Sequence, residues 1–166
     1  MHLRTLTTND APGFILLLQK LDQESEFMLF EPGERVMSEE AQRERITAMQ
    51  KVGTQVVFAA EVEGQIVGFL GSTAGAQRRS RHTASLVVGV LKAFQGRGIG
   101  SALLTELGHW ARARQVHRLE LTVMTHNEGA LKLYQKHGFT VEGTRKDALR
   151  VGEAFVHEYY MGKIIE

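Results

Sequence analysis

SLVVGVLKAFQGRGIGSALLTELGHWARAR, residues 85–114, decides the reading of this chain. It opens on a β-rich apolar run, Leu86 to Leu91, and passes through a turn holding Gly96, Gly98 and Gly100. Ile99, Ala102, Leu103, Leu107, Trp110 and Ala111 then recur with the helical period and form one apolar face. The order is strand, glycine-rich turn, helix. Glycines let a backbone approach a ligand without Cβ clashes. The first turn of a helix leaves N–H groups unpaired at the positive end of the helix dipole. Together these features predict an anion site, most often one for phosphate.

Composition bounds what surrounds that site. With 166 residues the chain is read as one domain, 1–166, long enough to bury a core without staples. Lys plus Arg number 20 and Asp plus Glu 19, so bulk charge gives no argument for a nucleic-acid partner. There are no cysteines, which excludes disulfides, a Cys-zinc site and a Cys nucleophile. The first residues, MHLRTLTTNDAPG, lack the apolar run of a signal peptide. No stretch approaches the ~18 apolar residues of a membrane span. A cytoplasmic protein with no membrane partner and no metal is expected.

In chain order, His2–Leu6 alternates as a strand does. Thr8, Asn9 and Asp10 are cap-type residues before a helix over about 9–23. Residues 25–35 are irregular, with a turn at Pro32-Gly33. Ser38 caps a second helix over about 38–51, whose inner face is Ile46 and Met49. Strands at 55–61 and 65–72 flank a two-residue turn, Glu63-Gly64. A basic loop, 74–82, carries Arg78, Arg79 and Arg81. After the central segment come a strand at 118–124, a helix from Asn127 to a stop at Gly138, and a hairpin of 140–149 with 154–161. The order β-α-α-β-β-β-α-β-α-β-β implies an α+β fold, a mixed and largely antiparallel sheet flanked by helices.

The glycine turn admits several phosphate readings. A P-loop is excluded, because no Lys follows Gly100. A dinucleotide fingerprint would place Ser101 at its third glycine, with Glu120 as the distant acid, but the segment sits mid-chain behind hairpins. A turn that uses glycine for packing alone is the bland alternative.

Gln95-Gly96-Arg97-Gly98-Ile99-Gly100 is similar to the Gln/Arg-x-x-Gly-x-Gly/Ala signature of the GNAT superfamily of N-acetyltransferases. Val88-Gly89-Val90 resembles the strand that pairs with the pantetheine arm of coenzyme A in that family. LELTVMTHNEGALKLYQKHGF, residues 119–139, is similar to the family's second motif. The likeness runs from about Ala59 to Ile164. Residues 138–165 look especially like the bacterial branch acting on free amino acids, small amines or ribosomal-protein N-termini. The resemblance implies acetyl-CoA as donor, with the N–H groups of Gly96 to Ser101, Gln95 and Arg97 at its pyrophosphate. It implies that Asn127 holds the pantetheine arm and that Tyr134 protonates the departing thiolate. Those two residues are seven apart, about two turns, and share a helix face. The bland readings are an N-cap for Asn127 and a core aromatic for Tyr134.

The general base departs from the resemblance. Ala84 and Thr122 stand where relatives carry a glutamate. A water chain to backbone carbonyls is the default; Glu120, on the strand face of Thr122, is the side-chain candidate, and His82 and His126 beside the two central strands are the further alternatives. The acids Glu24, Glu26, Glu31 and Glu34 between the first two helices are candidates to meet a cationic amine. Arg78, Arg79 and Arg81 are candidates for a carboxylate or the 3′-phosphate of CoA. His157 to Met161 is a candidate for a homodimer contact or the substrate wall. The rival classes are a non-catalytic acyl-CoA-binding module and a dinucleotide-binding domain.

Overall fold

The computed structural model describes residues 1–166. Its elements are β1 (His2–Thr5), α1 (Ala11–Glu24), α2 (Glu39–Val52), β2 (Gln55–Val62), β3 (Gln65–Ala74), β4 (Thr83–Val90), α3 (Ile99–Ala113), β5 (Arg118–Met124), α4 (Glu128–Lys136), β6 (Thr140–Val151) and β7 (Ala154–Ile164). This is the element order expected, and the fold class is α+β. The seven strands are hydrogen-bonded in the order β1-β2-β3-β4-β5-β7-β6. The chain forms two compact units. The first holds residues 1–73 and 87–107, the second 74–86 and 108–166, so β4 begins in the second and ends in the first.

In the first unit, β1, β2 and β3 pair antiparallel, with Glu63 (φ 50°) and Gly64 (φ 79°) making the tight turn between β2 and β3. α1 buries Phe14, Leu17, Leu18 and Leu21. Phe14 meets Phe69 of β3 edge-on at 5.4 Å. Burial of each such side chain contributes about 1.5–3 kcal/mol. A polar clasp joins the same elements. Arg4 on β1 bridges Asp10 at 2.7 Å and Glu61 at 2.8 Å. The Arg4 hydrogen bond holds the Asp10 carboxyl down at about 2.

Ser38 caps α2 as expected, accepting the Ala41 N–H at 3.1 Å. Its buried face is Gln42 and Ile46, with Met49 only half-buried. Ahead of α1, Asp10 stands at the N-cap position, one of the three cap-type residues expected, but its carboxylate folds back onto the Thr7 N–H at 2.8 Å across a 3₁₀ turn, Thr8–Asp10, instead of capping the helix.

In the second unit, β4 and β5 pair in parallel over Thr83–Ser85 and Arg118–Glu120. β5, β7 and β6 continue antiparallel. Leu119, Leu121, Val123, Phe139 and Met161 are buried there. β4 starts at Thr83, earlier than the apolar run announced, because its first residues pair with β5 rather than needing an apolar face. Leu91, read as strand, lies just beyond it. The basic loop is closed by Gly75 N–H to Thr83 O at 3.0 Å and Arg81 N–H to Gln77 O at 2.9 Å. No helix is long and apolar enough to cross a membrane.

Candidate active site

The donor side of the candidate site lies within the first unit. Val88 and Val90 are half-buried and Gly89 is buried. A Cβ on Gly89 would stand 2.8 Å from Leu21 Cδ1 and 3.0 Å from Phe69 Cε1, so any side chain at this strand position must displace one of them. Past β4, the Leu91 N–H donates to Val67 O at 2.9 Å. A single turn of 3₁₀ helix, Lys92–Phe94, follows. The Gln95 side-chain amide donates to Val90 O at 3.0 Å, folding the turn back onto the strand end. Gln95 thus shapes the loop, a role that its place in the motif did not disclose.

Gly96 (φ 74°) and Gly98 (φ 80°) sit in the left-handed region, where a side chain is strained. Nothing lies within 4 Å of a Cβ built on either, so the space beside the turn is open. The first α3 hydrogen bond runs from Ala102 N–H to Gly98 O at 3.0 Å. The N–H groups of Ile99, Gly100 and Ser101 therefore have no carbonyl one turn back within the helix. No acid occupies the first turn of α3. Arg97 stacks over the Phe94 ring, 5.0 Å from its centroid, and keeps its charge exposed beside the turn. This arrangement suits a diphosphate: open space, backbone donors, a dipole end and one cation.

The second unit holds the remaining predicted residues. Asn127 caps α4, its Oδ1 accepting the Ala130 N–H at 3.2 Å. The bland reading of Asn127 is therefore correct, yet the cap uses only the oxygen, and the amide NH₂ is a separate pair of donors. Tyr134, 6% exposed, lies two turns along and meets Phe139 at 5.8 Å between centroids. Burial pushes its phenol up from the ordinary value, so the hydroxyl holds its proton at neutral pH.

Glu120 is not isolated. Its carboxylate accepts the Arg118 Nε–H at 3.0 Å, and Arg118 also grips Glu142. Hydrogen bonding to Arg118 holds the Glu142 carboxyl below its ordinary range. This partly buried cluster crosses Gly162, where a Cβ would stand 2.5 Å from Glu142 Oε1. Ala84 is fully buried and Thr122 exposed, so neither usual base position offers a titratable group. His82 is exposed, with His117 6.4 Å away between ring centroids. His126 is also exposed.

Two long-range contacts were invisible to periodicity and motif. At the end of α1, Glu24 accepts the backbone N–H of Lys92. Beside it, buried Asp22 binds Arg35 through both oxygens, at 2.7 and 3.1 Å, and Arg35 lies 4.2 Å over the Phe30 ring. The irregular segment between α1 and α2 is thereby tied down. Of the four acids expected there, Glu24 serves the Lys92 amide, while Glu34 accepts the Glu31 N–H at 2.9 Å.

Comparison with known proteins agrees with this geometry. The chain is 39% identical over 108 residues to the L-amino acid N-acetyltransferase AaaT of Escherichia coli, covering 62% of this chain and 64% of that protein. The chain thus spans a little under two thirds of that relative. A GNAT-family acetyltransferase structure from Streptococcus pneumoniae superposes with a TM-score of 0.95 at 31% identity, covering 99% of both chains. The fold is shared too with yncA of Salmonella typhimurium, solved with its cofactor acetyl-CoA, at a TM-score of 0.88 and 19% identity over 100% of this chain and 94% of that one. The model of the Acetyltransferase (GNAT) family matches residues 18–139, and the chain belongs to that family.

Proposed function

We propose that residues 1–166 act as one N-acetyltransferase domain that moves an acetyl group from acetyl-CoA to a primary amine. The observation that carries the reading is the turn at Gly96–Ser101, with its left-handed glycines, open space and unpaired helix donors. Family membership supports acetyl-CoA as the source of that diphosphate. Acetyl-CoA supplies an activated acetyl thioester. The N–H groups of Gly96, Arg97, Gly98, Ile99, Gly100 and Ser101 and the Arg97 guanidinium hold its pyrophosphate, on a turn that Gln95 shapes. Val88, Gly89 and Val90 offer backbone groups to the pantetheine amides, as a strand edge does for a peptide. The Asn127 amide NH₂ holds the same arm.

The chemistry asks for three services. The acceptor must lose a proton; Glu120 is the proposed base, and Arg118 keeps its carboxylate in place. The carbonyl oxygen gains charge when nitrogen attacks, and the Val90 N–H is the proposed donor. The C–S bond then breaks, and the neutral Tyr134 hydroxyl gives its proton to the sulfur. The acceptor class is a free amino acid, a small amine or a protein N-terminus.

The test is thiol release from acetyl-CoA over a panel of amino acids, polyamines and N-terminal peptides. Absence of turnover with every member would sink the reading. A second reading, an acyl-CoA-binding module without catalysis, is favoured by Ala84 and Thr122. It predicts acetyl-CoA binding by calorimetry with no thiol release.

A further inference from the structure

α1 touches the end of β4 at two points. Leu21 packs where Gly89 lacks a side chain, and Glu24, one turn later on the same helix face, accepts the Lys92 N–H. The two contacts are three residues apart on both partners. The last turn of α1 therefore runs along Gly89–Lys92, which includes Val90, the proposed oxyanion donor.

Glu24 is exposed there, and its hydrogen-bond partner is a neutral backbone amide. The neighbouring acids are differently engaged. Asp22 is 3% exposed and bound by Arg35, and Glu34 is turned onto the Glu31 amide. Between Glu63 and Glu106 the sequence has no acidic residue at all, while it carries Arg78, Arg79, Arg81, Lys92 and Arg97. The donor strand and turn lie inside that interval. At Lys92, α1 brings in Glu24, an acid from outside that interval.

We propose that Glu24 is the carboxylate that receives the acceptor's ammonium at the end of β4. This rests on the acetyltransferase reading and adds the acceptor's recognition element. One oxygen is fixed on the Lys92 N–H, which orients the group, and the other takes a charge-assisted hydrogen bond from the incoming nitrogen. The acceptor is therefore a primary amine that arrives protonated. Glu24 binds and orients it, and the proton is released to the base before attack.

The experiment compares Glu24→Gln, Glu24→Asp and Glu24→Ala with the wild-type chain, using the best amine of the panel. Glu24→Gln keeps an oxygen for the Lys92 N–H and removes only the charge, so it retains the fold. The expected result is an amine KM raised about tenfold or more, the loss of one charge-assisted hydrogen bond. The acetyl-CoA Kd by calorimetry stays within about twofold, and added salt raises KM in the wild type far more than in Glu24→Gln. Glu24→Asp recovers part of the amine affinity. Glu24→Ala also loosens the Lys92 turn and weakens acetyl-CoA. An unchanged amine KM in Glu24→Gln, with or without a weakened acetyl-CoA Kd, overturns the proposal and leaves Glu24 a scaffold for the turn. Wild-type chain inactive on every amine overturns the acetyltransferase reading itself, before any variant is compared.

Discussion

Gly89→Ala tests whether α1 and β4 are as closely apposed as their contacts require. The added methyl would stand 2.8 Å from Leu21 Cδ1 and 3.0 Å from Phe69 Cε1. Both neighbours are buried, at 2% and 5% exposure, so neither can swing aside freely. Overpacking of this kind costs about 1–3 kcal/mol. Taken at about 2 kcal/mol in a chain of this size, it lowers Tm by about 4–8 °C. Thermal unfolding followed by circular dichroism reads the shift. The explanation is specific to Leu21, so it makes a second demand. Leu21→Ala alone costs about 2–5 kcal/mol through its cavity. In that background the new methyl finds space, and the double variant should be more stable than the sum of the singles by about 1 kcal/mol. Additivity to within about 0.5 kcal/mol, or a Gly89→Ala chain as stable as wild type, would refute the packing argument.

Tyr134→Phe should lower kcat by about a hundredfold or more while leaving the acetyl-CoA Kd unchanged, as measured by steady-state kinetics and calorimetry. Since burial raises the Tyr134 phenol, wild-type activity should show no tyrosine loss near pH 10, where an exposed phenol titrates. The Asp10 carboxyl sits at about 2 instead of 3.8, so its stabilisation is complete above about pH 4 and fades as pH falls toward 2. Wild type should therefore exceed Asp10→Asn by about 1 kcal/mol at pH 6, a value reduced for the solvent around Arg4, and the gap should shrink in Tm scans at pH 3. Gly75→Ala places a Cβ 2.5 Å from the Ser80 carbonyl oxygen and should open the basic loop, read as faster hydrogen exchange over residues 75–83.

The sequence made most of the architecture legible because its elements are punctuated by strong local signals. Ser38 before two glutamates, Glu63-Gly64 between alternating strands, and Gly138 after an amphipathic run each force a boundary through backbone chemistry alone. The turn at Gly96–Gly100 was legible for the same reason, since left-handed φ values require glycine. Contacts between distant segments were not. Glu24 lies 68 residues from Lys92, and nothing in the helical period of α1 distinguishes it from Glu26 or Glu31. Met49 was placed inside on periodicity, yet polar Gln42 is buried and Met49 is not. The family match reaches back to residue 18, into the last half of α1, where local sequence had no named motif. Leu21 and Glu24 of that half-helix reach Gly89 and Lys92.

That contact bears on how donor and acceptor recognition are joined. Gln95 fastens the turn to the Val90 carbonyl and Glu24 fastens it to α1 through the Lys92 amide. The backbone from Val90 to Gln95 is therefore held from two sides, and a shift of α1 is also a shift of the turn. In the proposals above, Glu24 receives the acceptor and Gly96–Ser101 hold the donor, both on one continuous support. An acceptor ammonium drawn to Glu24 would draw α1 and the Lys92 turn together, ordering the glycine turn that follows. Binding of either substrate should then favour the other, because each orders groups the second would otherwise have to order. Conversely, Glu24→Gln should abolish that mutual gain while retaining the hydrogen bond that shapes the turn. Ammonium charge at Glu24, rather than shape alone, is what would carry the coupling.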